Sequence, residues 1–255
     1  MSDYFYPAGS AGCTMKYLDF EICSLGKGES FEDVTGGKET SLTILCGSCL
    51  IYVDGVVCET GVRDSGFTGA SPHTAFLPAG CSYKVSAKTP VTFSIAKTAA
   101  AGDLNDATHV EVGAIKSFKR GTGQTLREIY ELTPPYVPAK LLVYEIITPG
   151  GNWSSFPPHK HDIEEGEEAL LQEVYYFTFD PPEGFALFWL SDDKGALNKA
   201  FSVRNGDFVA IPNGYHTMCA SPGYTCSTHC VMAGPGKEWK FRVKPEYKHL
   251  LDWIH

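Results

Sequence analysis

Short runs of β-branched and aromatic residues, separated by glycine, proline, asparagine and aspartate, recur along the whole chain. Examples are TSLTILC, CLIYVDG, TAFLPAG and VTFSIAK in the first half, and LLVYEII, EVYYFTF, GFALFWL and DFVAIP in the second. Such runs, bounded by turn residues, are typical of β-strands. The helical spacing of apolar residues is almost absent, apart from YKHLLDWI near the end, which is compatible with one short helix. The pattern predicts an all-β protein.

A faint internal repeat indicates two similar halves. The chain reads TAFLPAGCSYKVSA around Pro78 and DFVAIPNGYHTMCA around Pro212. In both places a strand, a Pro-x-Gly turn and a second strand follow in the same order. The two prolines are 134 residues apart, which is about half of the 255-residue chain. A repeat of this size predicts two domains of the same architecture.

The boundary between the two halves is expected at the proline-rich segment TPPYVPAK, residues 133–140, because prolines interrupt any strand that crosses them. We therefore predict an N-terminal domain over residues 1–135 and a C-terminal domain over residues 136–255. Ser82 of the first half stands where His216 stands in the second. The N-terminal domain is accordingly predicted to lack metal ligands.

Composition and charge exclude several classes of partner. The chain carries 30 acidic and 21 basic side chains, for a net charge of −9, and contains no run of Lys and Arg that could neutralise a phosphate backbone. No stretch approaches the roughly 18 apolar residues of a membrane span, and no secretion signal is recognisable at the start. The nine cysteines lack the spacing of a disulfide framework. We expect a cytoplasmic protein that binds neither nucleic acid nor membrane, and the sequence is compatible with a homo-oligomer.

Four residues of the second half have the types and the order of a metal site. In GGNWSSFPPHKHD, His159 and His161 lie two residues apart on a predicted strand, so both rings point to one face. Glu173 opens the apolar strand EVYYFTF, and His216 follows the turn at Pro212. Three imidazoles and one carboxylate suit one divalent ion, such as zinc, manganese, iron or nickel, and leave positions open for a substrate.

Other polar residues are expected to have ordinary roles. The eleven residues between His161 and Glu173, DIEEGEEALLQ, read as a solvated acidic loop, and we assign no role to its glutamates. His229 is interpreted as a core residue. Four further histidines are expected to be exposed in turns or near the end, namely His73, His109, His249 and His255.

The order of the four ligands resembles the two-part cupin motif, and the wider sequence resembles the 5-deoxy-glucuronate isomerase family of myo-inositol catabolism. The stretches that carry this resemblance are NWSSFPPHKHD, EVYYF, PPEGFA, VRNGDFVAIPNGYH, SPGY and VMAGP in the second half, and FEICSLGKGES and RGTGQTLREIYEL in the first. It covers nearly the whole chain. Departures are Gln124 and Tyr130, where members often have Asn and His. The resemblance implies two cupin (jelly-roll-like) β-barrels and one metal-binding barrel.

The same resemblance implies an aldose-ketose isomerase that converts a sugar acid, 5-deoxy-glucuronate, into 2-deoxy-5-keto-gluconate. A metal would supply Lewis acidity, and a side chain would move a proton from C2 to C1. Tyr175, on the Glu173 face, and Glu145, inside the apolar strand LLVYEII, are the candidate catalytic residues, and Arg127 is the candidate substrate-binding residue. Other roles for these residues stay open: Tyr175 could be a packing residue, Glu145 could form an ion pair with Arg127, and Arg127 could lie at the surface. A hydride shift would need no such base.

Three alternative functions accompany this hypothesis. A cupin with iron on the same ligands could be a metal-dependent oxygenase, which would consume oxygen with its substrate. A related isomerase of pectin breakdown, acting on a 4-deoxy-5-keto-uronate, has a shorter interval before its glutamate. A non-catalytic sugar-binding cupin is the third alternative. The complete ligand set in one half and its absence in the other favour a single working site.

Overall fold

The predicted all-β class is confirmed in a computed structural model that describes residues 4–64, 67, 73–110 and 112–253. These residues form twenty-two strands and three short 3-10 helices. No helix among them is long and apolar enough to cross a bilayer. The third 3-10 helix, Pro245–Trp253, contains most of the segment in which a short helix was expected.

The strands up to the proline-rich segment are β1 (Phe5–Tyr6), β2 (Gly12–Thr14), β3 (Asp19–Leu25), β4 (Ser30–Val34), β5 (Lys38–Cys46), β6 (Cys49–Val53), β7 (Val56–Glu59), β8 (Thr74–Leu77), β9 (Ser82–Ala87), β10 (Val91–Ala99), β11 (Thr108–Val110), β12 (Lys116–Arg120) and β13 (Arg127–Glu131). The other two 3-10 helices, Val112–Ala114 and Gly123–Thr125, lie on either side of β12.

The strands after it are β14 (Leu142–Thr148), β15 (Trp153–Lys160), β16 (Gln172–Asp180), β17 (Phe185–Ser191), β18 (Asn198–Arg204), β19 (Phe208–Ile211), β20 (Tyr215–Ala220), β21 (Thr225–Ala233) and β22 (Arg242–Val243). All the strand pairs described here are antiparallel.

The chain divides into two compact units. The N-terminal unit contains Ala11–Lys116 and Glu131–Val143, and the C-terminal unit contains the residues up to Ser10, Ser117–Tyr130 and the chain from Tyr144 onward. The division differs from the predicted boundary between residues 135 and 136. The difference arises because β1 pairs with β19, and β12 and β13 extend the sheet of the C-terminal unit. The segment after β13 instead returns to the N-terminal unit.

The N-terminal unit has a six-stranded sheet, in the order β11-β8-β5-β10-β3-β2, and a four-stranded sheet, in the order β4-β9-β6-β7. Alternate residues of β6 are buried, since Cys49, Ile51 and Val53 point inward. They pack in one core with residues such as Leu42 of β5 and Phe93 of β10 from the other sheet. Burial of these apolar faces is the main force that holds the two sheets together.

The C-terminal unit repeats this plan with a seven-stranded sheet, β1-β19-β16-β21-β14-β13-β12, and a five-stranded sheet, β18-β17-β20-β15-β22. Phe188 of β17 lies between the sheets. Its ring centroid is 5.9 Å from that of Tyr175 and 6.1 Å from that of Phe177, both on β16. The inner face of β16 therefore packs against the five-stranded sheet, and the inner face of β20 packs against the seven-stranded sheet. Polar groups on these two faces are removed from water.

The two units are related by the predicted repeat. Strands β5 and β10 begin at residues 38 and 91, and β16 and β21 begin at residues 172 and 225, so each corresponding pair differs by 134 positions. Within this repeat Glu39, paired with Thr98, takes the place of Glu173, paired with Met232. Glu39 is buried, and its Oε1 accepts hydrogen bonds from the backbone N–H groups of Lys140 and Leu141. In the N-terminal unit this carboxylate therefore binds backbone instead of facing histidines.

Candidate metal centre

Three strands of the C-terminal unit bring the four predicted metal ligands together. His159 on β15 and His216 on β20 are directly paired across the five-stranded sheet, and His161 follows immediately after β15. Glu173 is the second residue of β16, which lies between β19 and β21 inside the seven-stranded sheet. The site is thus built from the facing sides of two sheets, which explains why residues 57 positions apart in the chain can meet.

The ligand atoms converge at short distances. The three histidines each offer a nitrogen, and these nitrogens lie within 4.8 Å of one another. Glu173 Oε2 is 3.1 Å from His161 Nε2 and 3.0 Å from His216 Nε2. All four side chains are buried, and His159, at 8% exposure, is the most accessible of them. The geometry therefore places the four predicted residues around one point.

The other ring nitrogen of each histidine is held by a backbone carbonyl. Nδ1 of His159, His161 and His216 lies 3.2, 2.7 and 3.2 Å from the carbonyl oxygens of Pro157, Leu171 and Gly214, respectively. A carbonyl can only accept, so Nδ1 carries the proton and Nε2 presents its lone pair. Second-shell bonds of this kind orient histidines that bind metals.

This arrangement fits a cation. The buried Nε2 of His216 has no hydrogen-bond partner among the described residues, although Glu173 Oε2 lies 3.0 Å away outside hydrogen-bonding geometry. A lone pair and a carboxylate repel each other at this distance unless a positive charge lies between them. Three nitrogen donors and one carboxylate oxygen are also a set that zinc, manganese, iron and nickel accept.

Charge in this cluster shifts the pKa values of its members. Burial opposes the charged form of Glu173, but the neighbouring imidazoles of His161 and His216 outweigh it and hold the pKa of this carboxyl well below its usual range. For His159, burial and the two neighbouring imidazoles lower the pKa well below its usual value. Both residues therefore have the protonation state of a metal ligand: an ionised carboxylate and a neutral imidazole.

Tyr175 and Cys230 flank the Glu173 carboxylate. They are cross-strand partners on β16 and β21. The Cys230 thiol donates to Glu173 Oε1 at 2.8 Å, and the Tyr175 hydroxyl lies 2.7 Å from Ser155 Oγ. Ser155 holds this position with a left-handed backbone, φ 54°, which is unusual for a non-glycine residue. Sequence analysis missed Cys230, because only the pairing of the two strands shows that it shares the Glu173 face.

The remaining predicted site residues are both buried. Glu145 on β14 accepts a hydrogen bond from Ser227 Oγ at 2.9 Å. Ser227 pairs with Thr178, so this contact lies on the opposite face of the sheet from Tyr175 and Cys230. The Arg127 guanidinium donates from Nη1 to the Thr125 carbonyl oxygen at 2.9 Å. Burial and the charge of Arg120 lower the pKa of Arg127 to about 10, while Tyr175 opposes this shift. The alternative of a surface position for Arg127 is therefore wrong, since its exposure is 6%.

A cavity of about 550 Å³ lies beside the cluster. It is lined by Gly166, Glu167, residues 239–243, Lys248 and Leu251. Phe241 forms the boundary with the metal cluster, because its ring centroid is 4.8 Å from that of His159. Trp239 packs on Phe241 at 4.9 Å, and the Arg120 guanidinium lies over Trp239 at 5.0 Å. Three of the lining residues are cationic, namely Lys240, Arg242 and Lys248, so the cavity attracts an anion locally despite the net charge of the chain.

The acidic insertion is only partly the solvated loop that was expected. Glu164, Glu165 and Glu167 are exposed, but Glu168 is buried, with 3% exposure. Its Oε1 accepts a hydrogen bond from the Asp162 N–H at 2.7 Å, which folds the insertion back toward β15. This bond satisfies one oxygen of the buried carboxylate, whereas its Oε2 has no hydrogen-bond partner among the described residues.

Two histidines that were expected to be exposed are not. His73 is buried and His109 is half-buried, and both lie beside Cys58 in the N-terminal unit. His249 is exposed as predicted, whereas His255 lies outside the described residues. His229 is buried on β21 opposite Tyr176, so strand alternation turns it away from the face of Cys230.

Comparison with known proteins shows similarity along almost the whole chain. The model of the KduI/IolB family matches residues 4–250. A protein named 5-deoxy-glucuronate isomerase from Geobacillus thermodenitrificans is 34% identical over 240 residues, which cover 93% of this chain and 87% of that protein. Its namesake from Geobacillus kaustophilus is also 34% identical, over 94% of this chain and 86% of that protein.

Solved structures confirm the predicted fold. An IolB-like protein from Salmonella typhimurium LT2 superposes with a TM-score of 0.93 at 27% identity, covering 98% of this chain and 99% of that one. An oxalate decarboxylase variant from Bacillus subtilis superposes with a TM-score of 0.67 at 10% identity, covering 100% and 87% of the two chains. The second likeness shows the fold alone, that of a two-domain cupin.

Proposed function

We propose that this chain, which belongs to the KduI/IolB family, is an aldose-ketose isomerase that converts 5-deoxy-glucuronate into 2-deoxy-5-keto-gluconate. Relatives at 34% identity over more than nine-tenths of the chain carry the name of this activity. The observation that carries the proposal is the convergence of His159, His161, Glu173 and His216 at one buried point in a member of this family.

These four residues are proposed to hold one divalent ion, either zinc, manganese, iron or nickel. When bound, the ion would supply Lewis acidity toward the substrate carbonyl. The protein's contribution is to keep three imidazoles in the tautomer that presents Nε2, through the three backbone carbonyls. Burial also excludes bulk water, which strengthens every charge interaction within the site.

Arg127 is proposed to bind an oxygen of the sugar acid. A guanidinium has five N–H donors, and among the described residues only its Nη1 has a hydrogen-bond acceptor, the Thr125 carbonyl. The remaining donors suit a carboxylate or a pair of hydroxyls. The cations of the neighbouring cavity, including Arg242 and Lys248, would attract the same anionic substrate.

Tyr175 is proposed to take part in moving the proton. Burial and the charges of Glu173 and Cys230 raise the pKa of Tyr175 well above its usual value. Tyr175 therefore stays protonated and can donate a hydrogen bond, but it is a poor base. Glu145, held by Ser227 on the opposite face of the sheet, does not face the metal ligands, and a hydride shift between C2 and C1 would need no such base.

The test is an anaerobic NMR assay of the metal-analysed protein with 5-deoxy-glucuronate, run beside His161→Ala and, as a control, His249→Ala, which changes an exposed histidine. Conversion to the keto acid that disappears together with the bound metal in His161→Ala supports the proposal. Metal-loaded protein without conversion contradicts it. So does substrate loss that requires oxygen, which would indicate an oxygenase. Preference for the 4-deoxy-5-keto-uronate would indicate the related isomerase.

We also propose that the protein acts in the cytoplasm. All nine cysteines are free, which agrees with a reducing compartment. Assembly into a homo-oligomer stays a prediction, which light scattering of the purified protein would test.

A further inference from the structure

A second group of metal-binding side chains lies in the N-terminal unit. Cys58 is on β7, His73 immediately precedes β8, and His109 is on β11. The Cys58 Sγ is 3.7 Å from His73 Nε2, and His73 Nε2 is 3.4 Å from His109 Nδ1. All three ligand atoms lie within 4.8 Å of one another. One thiol and two imidazoles therefore converge near Ile44, whose N–H donates to the His73 carbonyl, at the opposite end of β5 from Glu39.

Two of the three separations match the geometry of a bound zinc ion. Zinc binds imidazole nitrogen at about 2.0–2.1 Å and thiolate sulfur at about 2.3 Å, with tetrahedral angles. From these values, two nitrogens on one ion lie about 3.4 Å apart, and a nitrogen and a sulfur lie about 3.6 Å apart. The observed distances are 3.4 Å for His73 Nε2 to His109 Nδ1 and 3.7 Å for Cys58 Sγ to His73 Nε2.

Hydrogen bonds alone explain the contacts among Cys58, His73 and His109 less well than a bound ion does. Nε2 of His73 is approached by both Cys58 Sγ and His109 Nδ1. An imidazole nitrogen has one in-plane direction, so it makes one good hydrogen bond, either as a donor or as an acceptor. His73 Nε2 can therefore bond to only one of these two atoms, whereas an ion between the three atoms would contact all of them.

We propose that Cys58, His73 and His109 form a second metal site that takes a zinc-like divalent ion. Burial and the charge of His109 lower the pKa of His73 to about 4, so this imidazole is neutral, as a ligand must be. Cys58 and His109 are half-buried, which leaves a fourth position open to water or another small ligand. The expectation that the N-terminal domain lacks metal ligands is replaced by this proposal.

The position of the site indicates a structural role. Strand β7 is the last strand of the four-stranded sheet, and β11 is the last strand of the six-stranded sheet. An ion held by Cys58 and His109 would link the edges of the two sheets of the N-terminal unit, with His73 as the third support. Such a link stabilises the folded state by binding to it in preference to the unfolded chain.

The test is cobalt binding to the metal-stripped full-length protein. A His161→Ala background disables the C-terminal site by removing one of its four ligands. In this background Cys58→Ser is compared with Cys46→Ser, which changes an exposed cysteine of the same unit. We expect the background and Cys46→Ser proteins to bind one cobalt ion with a thiolate-to-cobalt charge-transfer band. Cys58→Ser should lose both that band and the bound cobalt ion.

A second variant, His109→Asn, decides the result if Cys58→Ser fails to fold. It should keep the metal-free melting temperature and lose the rise that zinc causes in the background protein. Absence of the thiolate band in the background protein, or its persistence in Cys58→Ser, overturns the proposal. Equal stabilisation of His109→Asn and the background by zinc also overturns it. These outcomes are independent of isomerase activity.

Discussion

The Cys230 thiol donates a hydrogen bond of 2.8 Å to Oε1 of Glu173, while Oε2 of the same carboxylate faces His161 and His216. The thiol is thus hydrogen-bonded to the carboxylate oxygen that points away from the histidines. This bond fixes the rotation of the carboxylate. A carboxylate held in this way presents one defined oxygen to a metal.

Removing this hydrogen bond should weaken metal binding. Cys230→Ala is expected to lower the affinity for the ion by about 10–100-fold, the usual effect of losing an outer-shell partner. Competition with a chelator of known affinity measures it. Cys226→Ala is the matched control, because Cys226 is equally buried on the same strand but contacts Thr228. Equal losses in both variants would show that Cys230 only fills space.

Removing the Tyr175 hydroxyl should slow the reaction and leave the metal in place. Tyr175→Phe keeps the ring against Phe188 and loses the contact with Ser155. If the hydroxyl takes part in proton transfer, kcat should fall by about 10²–10⁴-fold. Steady-state kinetics and metal analysis on the same sample check this, with Tyr176→Phe as the control on the opposite face of β16. An unchanged kcat would leave Tyr175 with a packing role.

Substitution of Arg127 should act mainly on substrate binding. Arg127→Lys keeps the positive charge but loses the planar pair of donors that a carboxylate accepts. We expect KM for the sugar acid to rise at least about tenfold, because a charge-assisted hydrogen bond contributes about 1.5–3 kcal/mol. Arg204→Lys, at an exposed position of β18, should leave KM unchanged. A fall in kcat with constant KM would argue against ground-state binding by Arg127.

Asp33 should make the N-terminal unit sensitive to acid. Burial raises the pKa of Asp33, but the hydrogen bond and charge of Lys97 outweigh it, so the folded-state pKa lies below its usual value. The stability from this pair is therefore present above the unfolded pKa of about 3.9 and is lost as the pH falls through the lowered folded pKa.

The size of this effect is modest, because Asp33 is about one-third exposed. Between about pH 5 and pH 3 the wild type should lose up to about 1 kcal/mol more stability than Asp33→Asn. Urea unfolding at several pH values measures the difference, and Asp54→Asn, which changes an exposed aspartate of the same unit, serves as the control. Parallel pH profiles of wild type and Asp33→Asn would refute the prediction.

Some features of this protein follow from local sequence patterns, and others depend on contacts between distant residues. The strands, the repeat and the order His159, His161, Glu173, His216 were all readable from the sequence, because they depend on side-chain alternation and on short motifs. The domain boundary was not. The boundary depends on the pairing of β1 with β19 and on the hydrogen bonds from the Lys140 and Leu141 N–H groups to Glu39. These are contacts between distant parts of the chain.

The sequence by itself determined the fold class, the family resemblance and the types of the candidate ligands. Only the tertiary structure decided which other groups reach them. Cys230 joins Glu173 through the register of β16 and β21, and Cys58 joins His73 and His109 where edge strands of two sheets approach. The physical reason is that alternation along a strand selects a face, but the contact across that face is selected by strand register and sheet packing, which no local pattern contains.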